Sequence, residues 1–132
     1  MDKVEILGSK ISVGDLNEIC IAINSLAQDK QNSNGRYVCV ANVHTVVTGL
    51  EDSGFQNVTN GADLATADGV PLIWASKILG PKAIHGRASG PDIMAKLLTD
   101  LEYSKLRHYF YGSTPDVVEK LCKNISERFP NA

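Results

Sequence analysis

The sequence lacks an apolar run long enough to cross a bilayer. Its longest apolar stretches, such as residues 37–40, fall far short of the ~20 residues that a membrane-spanning helix requires. The start does not resemble a signal peptide, because Asp2 and Glu5 are acidic and no apolar segment follows them. We therefore predict that the chain does not span the membrane and that it works in the cytoplasm.

An excess of positive charge is lacking as well. Thirteen Lys and Arg stand against fifteen Asp and Glu, which leaves a formal net charge of −2. A nucleic-acid backbone is held mainly by clustered Lys and Arg. The sequence therefore predicts no nucleic-acid partner.

Cysteine and histidine are scarce, with three of each. Cys20, Cys39 and Cys122 are widely spaced and lie within apolar patterns, which is typical of buried thiols rather than of a disulfide framework or a zinc site. No second His or Cys stands at a metal-ligand spacing to His44, and an Asp-x-Asp pair is absent. We predict no metal site and no cofactor.

What is present is the composition of a globular protein, with 43% apolar and 21% charged residues. A chain of 132 residues falls within the ~100 to 150 residues of a common domain, so we predict a single domain over residues 1–132. Residues 4–7 and 10–13 are short apolar runs split by Gly8 and Ser9, which indicates a hairpin or two short strands.

Periodicity and turn residues predict the remaining elements. Helices are expected at 15–29, 44–52, 55–61, 71–79, 93–101 and 117–129, with the second and third broken at Gly54, strands at 36–41, 63–67 and 107–111, and an exposed loop at 30–35. Strands that alternate with helices predict an α/β fold with a mostly parallel sheet and helices on both faces, as in Rossmann-like proteins.

In such open sheets, ligands bind outside the carboxyl ends of the strands. Asp68 ends a predicted strand, and Gly69 after it leaves room for close approach by a ligand. Asp68 is therefore a candidate general base that could accept the proton of a sugar hydroxyl. A turn with a capping aspartate explains the same residues equally well.

The loop from Gly86 to Asp92 opens a predicted helix. Arg87 could offer a planar, permanent charge to a diphosphate, although a solvated surface arginine fits too, with Asp92 as its ion-pair partner or as a helix-start acid. Asn42 can both donate to and accept from a sugar hydroxyl, but it also suits a local turn.

A weaker candidate is the turn of Gly112 and Ser113, which could present N–H groups to a phosphate. Capping of the last helix by Ser113 or Thr114 is the alternative interpretation.

Three segments in series resemble the WecG/TagA/CpsF glycosyltransferase family. They read YVCVANVHTVV at 37–47, ADLATADGVPLIW at 62–74 and GRASGPDIM at 86–94, and YFYGSTP at 109–115 follows them. The order and spacing agree over residues 11–131. The resemblance implies inverting transfer of an N-acetylmannosamine-type or related hexosyl group from a UDP-sugar. The acceptor would be a polyprenyl-diphosphate-linked sugar at the cytoplasmic face of the membrane, in bacterial cell-surface polysaccharide synthesis.

The resemblance also implies roles for single residues. It makes Asp68 the catalytic aspartate, Arg87 the arginine of the glycine–arginine loop and Asn42 a residue near the donor. The predicted substrate-binding residues are Asn42, His44, Gly69, Gly86, Gly90, Asp92, Gly112 and Ser113.

Two departures from the family pattern stand out. Many members carry a threonine two positions before the motif asparagine, where this chain has Val40. Members also continue well past the position of Ala132, so we expect the amino-terminal part of a family domain, with a truncated sheet that a homo-oligomer or a companion chain covers. The alternative function is a catalytically silent module that binds a nucleotide sugar or a partner chain.

Overall fold

A β-hairpin and a pair of parallel strands form the framework of the first of two units. In the computed structural model, which describes residues 1–31 and 34–132, the chain divides into residues 1–93 and 94–132. The exposed loop predicted at 30–35 includes residues 32 and 33, which lie outside the described residues. Lys30, Gln31, Asn34 and Gly35 are exposed, in agreement with the prediction.

The hairpin joins β1 (Lys3–Ile6) to β2 (Ser9–Ser12), and Ile6 pairs with Ser9. Its two turn residues, Leu7 and Gly8, both have positive φ angles, of 50° and 84°, as the tight turn of a two-residue hairpin requires. The predicted hairpin is confirmed, but its turn is formed by Leu7 and Gly8 rather than by Gly8 and Ser9, because Ser9 already pairs with Ile6.

The parallel pair consists of β3 (Val38–Ala41) and β4 (Leu64–Ala67), in register from Val38 opposite Leu64 to Ala41 opposite Ala67. All four β4 residues are buried, as predicted. The prediction that β3 is covered on both faces is wrong at Val40, which is 43% exposed. Within the described residues β3 pairs with β4 alone, so the α/β class is confirmed in a small sheet.

Four helices belong wholly to the first unit, and a fifth begins in it. They are α1 (Leu16–Gln28), α2 (Val43–Glu51), α3 (Ser53–Gly61), α4 (Val70–Leu79) and α5 (Gly90–Thr99). The break between α2 and α3 falls at Asp52 rather than at the predicted Gly54, because the Asp52 carboxylate accepts from the Phe55 N–H at 3.0 Å and so starts α3. Leu79, predicted to face inward, is exposed because α4 ends at this residue.

The core of the first unit lies where the hairpin packs against the parallel strands. Its buried members are Val4, Ile6, Ile11, Val13, Ala41, Val46, Ala65, Ala67, Leu72 and Ile84. The Ala65 N–H donates to the Ser12 hydroxyl at 3.1 Å, a buried contact that ties β4 to β2. Full burial of each large aliphatic side chain stabilises the fold by roughly 1.5–3 kcal/mol, and this packing holds β4 rigidly.

The second unit contains the end of α5, a 3-10 turn at Leu101–Tyr103 and α6 (Pro115–Arg128). The strand predicted at 107–111 is wrong, since this segment forms no ladder with any described residue, and Tyr109 and Tyr111 are exposed. Aromatic residues favour an extended backbone, but a strand also needs a hydrogen-bonded neighbour. Leu101, predicted on the apolar stripe of α5, is exposed because the helix ends at Thr99.

The cysteines differ in their surroundings. Cys20 is buried and Cys39 is half-buried, whereas Cys122 is exposed on α6, so the prediction of a buried thiol is wrong there. Cys122 lies in α6 between Leu121 and Lys123. Within the described residues, no helix is both long enough and apolar enough to cross a membrane.

Candidate active site

Two predicted site residues come directly after the two parallel strands. Asn42 follows β3 and Asp68 follows β4, and parallel strands bring their carboxyl ends to one edge. The Asp68 N–H donates to the Ala41 carbonyl oxygen at 2.8 Å, which extends the strand pairing by one residue. Asp68 is therefore held at a fixed position beside the start of α2.

The Arg87 side chain contacts both the main chain and the side chain of Asp68. Arg87 Nε–H donates to the Asp68 carbonyl oxygen at 2.8 Å, and Arg87 Nη2 lies 3.5 Å from Asp68 Oδ1. The Arg87 side chain is 54% exposed and that of Asp68 is 30% exposed. The pair is thus open to a ligand while its geometry is set by the protein.

The residue after Arg87 in this loop is also hydrogen-bonded to the end of β4. The Ala88 N–H donates to the Ala67 carbonyl oxygen at 2.8 Å, and the Thr66 hydroxyl donates to the Ala88 carbonyl oxygen at 3.0 Å. A side chain at Gly90 would lie 3.8 Å from a methyl of Val40, so the loop also crosses the end of β3. Gly90 and Val40 consequently share this edge of the sheet.

Asp92 serves as the acid at the start of α5. The Ser89 hydroxyl donates to its carboxylate at 2.6 Å, and the Asp92 N–H returns a bond to the Ser89 hydroxyl at 3.3 Å. The helix-start alternative is confirmed, whereas the predicted ion pair with Arg87 is absent among the described residues because Arg87 turns to Asp68.

Asn42 is the N-cap of α2. Its side-chain oxygen accepts from the Thr45 N–H at 3.0 Å, and the Thr45 hydroxyl closes the capping box. Within the described residues the Asn42 Nδ2 group donates to no protein atom, so it can still bind a ligand. His44 is exposed on the first turn of the same helix.

The glycines predicted to line the site differ in what surrounds them. Gly69 is the N-cap of α4, which starts without a side-chain cap. Pro71 in the first turn has no N–H, and the Leu72 N–H donates to the Gly69 carbonyl oxygen at 3.2 Å. Gly86 packs against α1, since a side chain there would lie 3.2 Å from Asp15 Cβ. Close approach of two protein segments thus explains Gly86 without a ligand.

Gly112 and Ser113 lie in the second unit and form a turn with φ angles of 129° and 57° before α6. The first angle favours glycine. Thr114 occupies the N-cap of α6 but makes no side-chain capping bond, so the predicted capping of this helix by a hydroxyl is wrong for Thr114.

A contact that the sequence did not predict lies beside Arg87. His85 Nδ1 is 2.7 Å from Glu18 Oε2, and the same carboxylate oxygen accepts from the Asp15 N–H at 2.9 Å. The Asp15 N–H and then the His85 ring hold the pKa of the Glu18 carboxyl below its usual value. The spacing of Asp15 and Glu18 indicates a capping box, but nothing in the sequence links Glu18 to His85.

No three His, Cys, Asp or Glu side chains come together as metal ligands in the part of the chain that the structure describes. Asp68, Arg87 and Asn42 instead present a carboxylate, a guanidinium and an amide at one strand edge. These groups can accept a proton, bind an anion and hydrogen-bond a hydroxyl.

Comparison with known proteins identifies one matching family and several related proteins. The model of the Glycosyl transferase WecG/TagA/CpsF family matches residues 4–132. An N-acetylglucosaminyldiphosphoundecaprenol N-acetyl-beta-D-mannosaminyltransferase of Bacillus spizizenii is 26% identical over 96 residues, which are 73% of this chain and 37% of the relative. A protein of the same name from Staphylococcus aureus is 25% identical over 129 residues, 98% of this chain and 50% of the relative. The chain thus spans half the length, or less, of these curated relatives.

Proposed function

Since the chain belongs to the WecG/TagA/CpsF family of glycosyl transferases, we propose that it takes part in sugar transfer to a lipid-linked acceptor. The donor is a UDP-sugar that carries an N-acetylmannosamine-type or related hexosyl group. The acceptor is a sugar on a polyprenyl diphosphate, which the names of the relatives support. The reaction belongs to cell-surface polysaccharide synthesis at the inner face of the bacterial plasma membrane.

The pairing of Asp68 with Arg87 at the end of β4 is the observation that carries this proposal. A base for the acceptor and a cation for the leaving group must both lie near one anomeric carbon, because the bond that forms and the bond that breaks share that carbon. The contact between Arg87 and Asp68 brings a cation and a carboxylate together at one strand edge, where one donor sugar could reach both. The 3.5 Å between Arg87 Nη2 and Asp68 Oδ1 is longer than the ~2.7–2.9 Å of a strong charged hydrogen bond, so both groups retain capacity for substrate.

In the proposed reaction, the acceptor hydroxyl oxygen attacks the anomeric carbon of the donor sugar from the side opposite UDP. The new glycosidic bond forms as the bond between that carbon and the β-phosphate oxygen breaks, which inverts the configuration. The Asp68 carboxylate accepts the proton of the attacking oxygen, and the electron pair of the broken bond leaves with UDP.

Arg87 stabilises the charge that grows on the departing diphosphate. A guanidinium has five N–H donors, and the Asp68 carbonyl oxygen occupies the one on Nε. The Nη groups are left to bind two phosphate oxygens in parallel. The start of α4, which has no side-chain cap, adds the positive end of a helix dipole at the same edge.

The test is to incubate the purified chain with UDP-N-acetylmannosamine and a soluble lipid-diphosphate-N-acetylglucosamine analogue, and to detect the product disaccharide by mass spectrometry. We expect a product whose mass exceeds that of the acceptor by one N-acetylhexosaminyl residue. A reaction without acceptor is the control. No product, under conditions in which a full-length relative forms it, contradicts transfer by this chain.

A second candidate is a module that binds the nucleotide sugar, or a partner chain, without turnover. Val40 favours it, because the family's usual hydroxyl at this position is replaced by methyl groups that lie beside Gly90. Calorimetric binding of the UDP-sugar together with absence of product would support this candidate over the first.

A further inference from the structure

The segment from His85 to Ala88 is held at both of its ends. At its carboxyl end, the Ala88 N–H donates to the Ala67 carbonyl oxygen, and the Arg87 Nε–H donates to the Asp68 carbonyl oxygen. At its start, the His85 N–H donates to the Val13 carbonyl oxygen at 2.7 Å. Arg87 thus sits between an anchor on β4 and an anchor near the amino end of α1.

The side chain of His85 strengthens the second anchor. Its Nδ1 lies 2.7 Å from Glu18 Oε2, and the Glu18 carboxylate is itself fixed because it closes the capping box of α1 with Asp15. Gly86 lies so close to Asp15 that a side chain there would be crowded. Gly86, the residue directly before Arg87, therefore packs against the start of α1.

We infer that Glu18 and His85 are positioning residues for Arg87, because their contact fixes the backbone from which the guanidinium reaches Asp68. A long, half-exposed arginine has many rotamers, and a loop that moved would let it leave the Asp68 carbonyl oxygen. A fixed backbone keeps the Nη groups oriented before a ligand arrives. The orientation of Arg87 follows from these contacts alone, and its value for diphosphate binding rests on the proposed function.

The test uses the full chain labelled with 15N and follows the Arg87 Nε–H resonance and its exchange with water by NMR. His85→Ala should shift this resonance and speed its exchange several-fold. His85→Asn should restore much of the wild-type signal, because an asparagine amide can still donate to Glu18 from nearly the position of Nδ1. Glu18→Gln keeps the capping box but removes the charge, and we expect a smaller shift in the same direction.

His108→Ala is the matched control, since the His108 ring stacks on Phe110 in the second unit and should leave the Arg87 signal unchanged. An Arg87 Nε–H signal that neither His85→Ala nor Glu18→Gln moves would overturn the inference. Titration of the same samples with a UDP-sugar separates it from the proposed function. A response of Arg87 to His85→Ala, without nucleotide binding by the wild type, upholds the positioning role and counts against the transferase.

Discussion

Arg87 donates its Nε–H to the main-chain carbonyl oxygen of Asp68 and places Nη2 3.5 Å from the carboxylate of the same residue. One arginine is therefore tied to the backbone of the proposed base and lies within reach of its side chain. The contact to the carbonyl sets the direction of the guanidinium, and the longer contact leaves the carboxylate available. We therefore expect substitutions of Arg87 and of Asp68 to have different effects.

Arg87→Lys tests whether donor binding needs the planar guanidinium group. Lysine keeps the charge but cannot donate to the Asp68 carbonyl oxygen and bind two phosphate oxygens at once. Hydrogen bonds to charged groups contribute about 1.5–3 kcal/mol, so we expect affinity for a UDP-sugar to fall by roughly tenfold or more. Calorimetry on wild type, Arg87→Lys and the control Arg107→Lys measures it. Equal affinities for all three would remove Arg87 from the donor site.

Val40→Thr tests the departure from the family pattern. The substitution places a hydroxyl beside Gly90 at the end of β3, where the resemblance to the family implies one. We expect kcat to rise while affinity for the UDP-sugar stays the same, because the hydroxyl would act on the acceptor or the base. Val47→Thr is matched to it, since Val47 is 42% exposed and Val40 is 43% exposed. A similar rate for both variants would mean that the hydroxyl is not needed here.

Asp63 makes the stability of the first unit depend on pH. The Arg36 guanidinium, 2.7 Å away, and then the Tyr37 N–H hold the pKa of the Asp63 carboxyl below its usual value of 3.8. A lowered pKa in the folded state stabilises the protein above the unfolded value, and this stabilisation is lost as pH falls below about 3.8.

Asp63→Asn should therefore lower the Tm at neutral pH and flatten its decline on the acid side. Thermal unfolding followed by circular dichroism from pH 7 to below pH 4 measures both effects, with the exposed Asp116→Asn on α6 as the control. Parallel Tm curves for wild type and Asp63→Asn would contradict a stabilising role for this carboxylate.

The outer face of α4 predicts self-association of the chain. Trp74 and Ile78 are one helical turn apart and are 62% and 80% exposed. Burial of such apolar surface is the usual reason for association. We expect sedimentation to show concentration-dependent assembly that Ile78→Ser reduces and that Val117→Ser, a change on exposed α6, leaves intact. A wild type that stays monomeric at all concentrations would contradict this prediction.

Local signals in the sequence were enough to predict much of the fold. Gly8 between two apolar runs indicates the hairpin, Asp15 caps α1, and the apolar run at β4 is buried as expected. In each case the deciding interaction joins residues that are near in sequence, or it follows from apolar character alone. The positions of Asp68 and Asn42 at one edge followed from the rule that parallel strands end together.

The features that the sequence did not predict depend on partners that are distant in the sequence. Residues 107–111 have the composition of a strand, but pairing decides whether a strand forms, and no described residue pairs with them. The contact of Glu18 with His85 spans 67 residues and leaves no periodic signal. The closeness of Gly86 to Asp15 is likewise visible only in three dimensions, and substrate binding by Gly86 stays a prediction.

In the proposed reaction the Asp68 carboxylate accepts the proton of the acceptor, and acceptor-dependent release of UDP by wild type and by Asp68→Asn tests this role. Asparagine retains the size and the main-chain contacts to Ala41 and Arg87 but cannot take the proton. We predict that release falls by about 10²-fold or more in Asp68→Asn and is unchanged in Asp116→Asn, with nucleotide binding intact in both. Wild-type rates of release in Asp68→Asn would contradict the account.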